Sequence, residues 1–201
     1  MKTRGTQQDR RRALARIAAA QAGYFTSGQA AHAGYSTRLQ HHHSSSGNWR
    51  RITRGIYRLP DWPSDENEGL ILATLVSGGK GVVSHESALS LQGLSDVLPD
   101  TVHLTVPPSF RKRIAGVTLH RADLRPIDVL ARSGFSVTTP LRTVADAARS
   151  PLSPEHLEAA VRDGLRLGLL RKAKLLDLAL DLPQQEAVRL RAAIKAAENP
   201  R

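Results

Sequence analysis

Two groups of side chains have the types and spacing to engage a polyanion. Thr37, Arg38, Gln40 and His41 cluster near the start of one short helical pattern, and Arg50, Arg51, Arg54 and Arg58 follow in a β-type segment. Arginine pairs with guanine O6 and N7 and glutamine with adenine N6 and N7, so the first group suits reading of base edges. The second group, with Arg10, Arg11 and Arg12 upstream, supplies fixed positive charges suited to phosphates. Taken singly, each arginine is as readily a plain surface charge. Their clustering carries the reading.

The elements that must position these side chains follow from pattern. Gln7 to Ala22 reads as a helix with Leu14, Ile17, Ala18 and Gln21 on one stripe and the arginines largely outside it. Thr26-Ser27-Gly28-Gln29 fits a capping box that opens a second helix running to about Ala33, and Gly34 suits a tight turn. Ser36 caps a third helix that starts at Thr37 and fades into Ser44-Ser45-Ser46-Gly47. Trp49–Ile52 and Ile56–Leu59 then form a hairpin around Thr53-Arg54-Gly55. Three short helices followed by a basic hairpin is the order of a winged helix-turn-helix, with the third helix in the major groove and the hairpin on the backbone.

Charge is segregated in the same way. Of the formal net charge of +11, residues 1–60 hold eleven Lys and Arg against one acid, Asp9, whereas residues 61–201 hold 18 against 17. Such asymmetry is the footprint of a polyanion binder, because each neutralised phosphate releases condensed counterions.

The acidic, polar stretch Asp61-Trp62-Pro63-Ser64-Asp65-Glu66-Asn67-Glu68 is the strongest composition break. The expected organisation is a DNA-binding domain over 1–60, a linker over 61–68 and a second domain over 69–201. In the latter, Gly69–Ser77 and Ser84–Gly93 read as helices, and Val102–Val106 and Val117–Arg121 as strands flanking a basic tip, Arg111-Lys112-Arg113. The weaker apolar runs Ile127–Leu130 and Phe135–Val137 could extend the sheet. Leu141–Ala148, Pro154–Leu167, Arg171–Leu180 and Gln184–Ala197 read as helices. The fold class is therefore α+β and helix-rich: a winged helix-turn-helix, then a mixed α/β domain with a small sheet and a C-terminal helical part.

Other chemistries find little support. The absence of Cys excludes disulfides, thiolate zinc sites and cysteine nucleophiles. His41-His42-His43 invites a metal reading, but adjacent helical residues point about 100° apart and cannot clasp one ion. Ser84, His85, Glu86 and Ser87 lack a nucleophile elbow and read as capping and packing. Arg142 and Asp146, four apart, read as an intrahelical ion pair. Gly78-Gly79-Lys80-Gly81 lacks the spacing of a phosphate-binding loop. No catalytic residue, metal or cofactor is expected, and without a long apolar run or secretory signal the chain reads as soluble and cytoplasmic.

Gly23-Tyr24-Phe25-Thr26 through Arg54-Gly55-Ile56-Tyr57-Arg58-Leu59 resembles the N-terminal domain of the AbiEi antitoxin family. Downstream, Ser84-His85-Glu86-Ser87-Ala88-Leu89-Ser90-Leu91-Gln92-Gly93-Leu94 and Thr138-Thr139-Pro140-Leu141-Arg142-Thr143-Val144-Ala145-Asp146 resemble motifs of the same family, so the likeness spans roughly residues 10–180. The resemblance implies a type IV antitoxin that represses its own promoter through inverted repeats on double-stranded DNA. It also implies a nucleotidyltransferase-like toxin as functional partner, opposed with or without a stable complex. Relatives that add a nuclease-like domain do so after the Thr-Ser-Pro region. Here that stretch reads as helical and bears no Asp with a following Glu-x-Lys cluster. Arg111, Lys112 and Arg113 are a candidate antitoxin surface. Two other classes stay open at this point: a nuclease- or nucleotidyltransferase-related enzyme, and a protein-interaction antitoxin whose basic N-terminus is incidental.

Overall fold

In the computed structural model, which describes residues 6–198, the chain opens on a capped helix. Thr6 accepts from Asp9 N while Asp9 reaches back to Thr6 N, and α1 (Gln7–Ala19) then buries Leu14 and Ala18. The expected capping box at Thr26 is present, with Gln29 Oε1 accepting from Thr26 N at 2.8 Å, and it opens α2 (Ser27–His32). Gly34 turns the chain at φ +93°, and Ser36 caps α3 (Thr37–Ser45). The expected hairpin is β2 (Arg50–Thr53) and β3 (Ile56–Arg58).

A third strand, β1 (Tyr24–Thr26), has no counterpart in the sequence pattern. It pairs antiparallel with β3, giving a sheet of order β1-β3-β2 with Phe25 opposite Tyr57. Three residues are too few to show a period, and only long-range pairing makes them a strand. Phe25 and Trp49 meet edge to face at 4.8 Å, Tyr35 closes on Trp49 at 4.9 Å, and Leu14, Ala18 and Ala30 complete this core. The first compact unit runs on past the acidic segment and through α4 (Glu68–Val76) to Gly79, and includes residues 132–135.

The second unit comprises residues 80–131 and 136–201. Its strands β4 (Val82–Val83), β5 (Val102–Val106), β6 (Val117–Arg121), β7 (Val129–Arg132) and β8 (Phe135–Thr138) belong to a mixed sheet of order β6-β5-β4-β8-β7. The two weaker apolar runs thus do extend the sheet. β5 and β6 pair in parallel, Val102 beside Val117 and Val106 beside Arg121. Arg111-Lys112-Arg113 consequently lies in a crossover rather than at a hairpin tip, because parallel neighbours need a connection that returns along the sheet.

Helix α5 (His85–Gln92) and helices α6 (Pro140–Arg149), α7 (Pro154–Arg166), α8 (Lys172–Asp181) and α9 (Gln184–Glu198) share an apolar core. Leu89, Val144, Leu157, Val161, Leu175, Leu190 and Ile194 lie in it. Arg189 on α9 donates to the carbonyls of Ala148 at 2.8 Å and Ser150 at 2.6 Å, satisfying acceptors that the end of α6 leaves open. About half of the described chain is helical, and no described helix is long and apolar enough to cross a membrane.

Candidate nucleic-acid interface

The capped start of α3 sets the first group of side chains. Thr37, Arg38 and His41 are exposed there, and His41 Nδ1 lies 3.4 Å from Ser45 Oγ. Gln40 is not with them. It is 7% exposed, and its Nε2 donates to Tyr35 O at 2.9 Å and Ser27 O at 3.2 Å. A glutamine amide spent on two backbone carbonyls cannot also present that nitrogen to a base, so Gln40 fastens α3 to the α2–α3 turn. Residue type alone points a glutamine outward, whereas the packing of α3 against Ser27 and Tyr35 turns position 40 inward.

The hairpin arginines divide in the same way. Arg50, Arg51 and Arg54 are exposed, and a register irregularity between Arg51 and Thr53 re-aims β2. Arg51 lines one open groove with Gly28, Thr37, His41, Ser44 and Tyr57, so α3 and the hairpin face common space. Arg58 lies elsewhere: its side chain is 12% exposed and its Nη2 pairs with Glu68 Oε1 at 2.5 Å. It also donates to Trp62 O at 3.2 Å, Pro63 O at 3.1 Å and Ala22 O at 3.3 Å, and stacks over the Tyr24 ring. With Nε and Nη2 engaged in this way, Arg58 ties the hairpin to the segment that follows it. Sequence reasoning missed its partner because Glu68 is ten residues away, in what read as linker.

A measurable consequence follows. Arg58→Met should lower the stability of the first unit by about 2 kcal/mol, since Glu68 and several carbonyls lose their charged donor. Both tryptophans, Trp49 and Trp62, belong to this unit, so urea unfolding followed by tryptophan fluorescence reads it directly. An unchanged midpoint would return Arg58 to the surface arginines.

On α1, Arg11 and Arg12 are exposed, while Arg10 is half-buried: its Cγ and Cδ lie 3.0 Å from where a Cβ on Gly34 would stand. His43 stacks on Trp49 at 4.9 Å, and burial lowers its pKa. The run 41–43 thus diverges. Among the described residues no group of three or more His, Asp or Glu side chains is arranged to hold a metal ion.

In the second unit, Arg111, Lys112 and Arg113 are exposed on the β5–β6 crossover, with Arg111 Nη1 donating to Pro108 O. Arg142 and Asp146 form the expected pair, Nε to Oδ1 2.8 Å, and Arg142 also reaches Asp128 at 3.4 Å. Unexpected is a gathering of His85, His103 and His120 from α5, β5 and β6. Alternation puts His103 and His120 on their strands, but only the parallel register, with His103 beside Thr118 and Thr105 beside His120, brings the rings together.

Exposed cationic and hydroxyl side chains on one short helix, with arginines on the adjoining hairpin, make a surface suited to a polyanion. Residues 12–60 match the family described as transcriptional regulator, AbiEi antitoxin. The fold of the chain is similar to that in the crystal structure of the RV2827C protein from Mycobacterium tuberculosis. The TM-score is 0.61 at 15% identity, over 98% of this chain and 80% of that one. No curated protein matches the sequence.

Proposed function

We propose that this chain is a sequence-specific antitoxin that represses the promoter of its own toxin–antitoxin operon and counteracts a nucleotidyltransferase-like toxin in the cytoplasm, without catalytic activity of its own. Residues 1–60 act as a winged helix-turn-helix, residues 61–68 as a linker, and residues 69–201 oppose the toxin, with Arg111, Lys112 and Arg113 as the surface that meets it. The observation that carries the reading is the shared groove of Thr37, His41 and Arg51, flanked by Arg38, Arg50 and Arg54, in the part of the chain with nearly all the excess charge. In this assignment Thr37, Arg38 and His41 face base edges, while Arg11, Arg12, Arg50, Arg51 and Arg54 bind phosphates. The repressor would be most effective on inverted repeats, where two copies occupy half-sites related by symmetry.

The test is a mobility-shift titration of the full chain on its own promoter and on unrelated DNA of equal length. Arg38→Ala should weaken promoter binding by roughly 5- to 150-fold, the equivalent of one bidentate pairing with a base, and unrelated DNA much less. Equal losses on both DNAs would show that α3 does not read sequence. No preference for the promoter by the unmodified chain would overturn autorepression itself.

A further inference from the structure

The second unit holds a cluster of imidazoles that DNA binding does not use. His120 Nε2 and His103 Nδ1 face each other at 3.2 Å. The opposite nitrogen of His103, Nε2, is directed at Glu86 Oε2, 3.7 Å away. The His85 ring lies flat on His120, centroids 3.4 Å apart and planes 11° apart, and its Nδ1 is 2.9 Å from Ser84 Oγ, which accepts from Thr105 Oγ1 at 2.8 Å. His85 adopts φ +52°, a left-handed conformation that a non-glycine residue rarely takes, and such strain persists where the surroundings hold a side chain in place.

We propose that His103 Nδ1 and His120 Nε2 form a two-point seat for a borderline divalent transition-metal ion of the zinc, nickel or copper kind, with water completing its coordination. Two imidazole nitrogens each about 2.0–2.1 Å from one ion, and 3.2 Å from each other, subtend about 100° at it, within the range of tetrahedral and square geometries. Glu86 Oε2, 3.7 Å from His103 Nε2, places a carboxylate behind the ring on the side away from Nδ1, where it favours the tautomer protonated at Nε2. The stacked His85 ring, tethered through Ser84 and Thr105, holds the plane of His120. Two protein ligands suit a reversible, exchangeable ion rather than a permanent structural one. The alternative is a plain N–H···N hydrogen bond between the two rings.

The test uses the full chain with His41, His42 and His43 replaced by Ala, so that the exposed run cannot take up the ion. Titration with Ni²⁺ should be saturable at one equivalent and should raise the melting temperature of the second unit. His120→Asn, at a partly exposed position, should remove both effects. In the unmodified chain, paramagnetic broadening by Ni²⁺ should fall on the ring protons of His103 and His120, a readout that needs no variant to fold. Binding that persists in His120→Asn, broadening confined to residues 41–43, or no uptake at millimolar Ni²⁺ would each overturn the proposal.

Discussion

Replacing Arg51 and Arg54 together by Ala should flatten the slope of log K against log salt by about two units, one for each phosphate left without its guanidinium. The two guanidinium groups are exposed on β2 and in the β2–β3 turn, and among the described residues neither is held by a carboxylate ion pair. Their charge is thus available for counterion release, and the weakening should fall alike on promoter and unrelated DNA, because phosphate contacts carry no sequence information. Over a fourfold change in salt, two units of slope correspond to roughly a tenfold difference in affinity, large enough to read in a fluorescence-anisotropy titration. Arg58→Met is the internal control: it should cost stability and leave the slope alone. If the double variant keeps the parental slope, the hairpin lies off the DNA and the groove shared with α3 has no role in binding it.

The second large effect is acid lability of the second unit. Burial lowers the pKa of His85 to about 3 and that of His120 to about 4, with the neighbouring imidazoles adding to both shifts and Arg142 and Arg149 adding at His85. Both fall below the value near 6.5 of the unfolded chain, so the unfolded state binds protons first as pH drops. Stability is therefore full above about pH 6.5 and is lost progressively as pH falls toward the folded values. At pH 5 the His85 ring costs about 2 kcal/mol, and the partly exposed His120 ring, screened by solvent, costs less, so the pair removes roughly 2 to 3 kcal/mol, a large share of a domain's total. His103, lowered by burial, acts in the same direction, while Asp146, raised by burial, acts in the opposite one. Because both tryptophans lie in the first unit, far-ultraviolet circular dichroism and fluorescence should diverge in melts at pH 5, dichroism falling first. The double variant His85→Gln, His120→Gln should flatten this pH dependence. A variant as acid-labile as the parent would place the proton uptake elsewhere.

Locally encoded features are legible in the sequence itself. The capping box at Thr26 and Gln29 needs residues three apart, the Arg142–Asp146 pair needs residues four apart, and helices α1 to α9 follow from apolar periods and caps. The charge asymmetry that singles out the first sixty residues is a property of composition along the chain and needs no fold at all. Within that segment, however, type did not decide role. Gln40 and Arg58 have the chemistry of nucleic-acid contacts, yet one is consumed by Tyr35 and Ser27 carbonyls and the other by Glu68, Trp62 and Pro63. A helix or strand pattern fixes which face a residue shares, not what stands opposite that face.

The tertiary structure decided the features that depend on distant pairing. Strand β1 exists because β3 is there to receive it, and Arg111-Lys112-Arg113 sits on a crossover because β5 and β6 run in parallel. The same parallel register carries His120 to His103, seventeen residues away in sequence, and sets Glu86 and His85 of α5 around them. No spacing rule connects those four residues. Their proximity results from closing a sheet and packing a helix on it, and both are settled by the burial of Leu89, Leu104, Val106 and Val144 rather than by the histidines themselves.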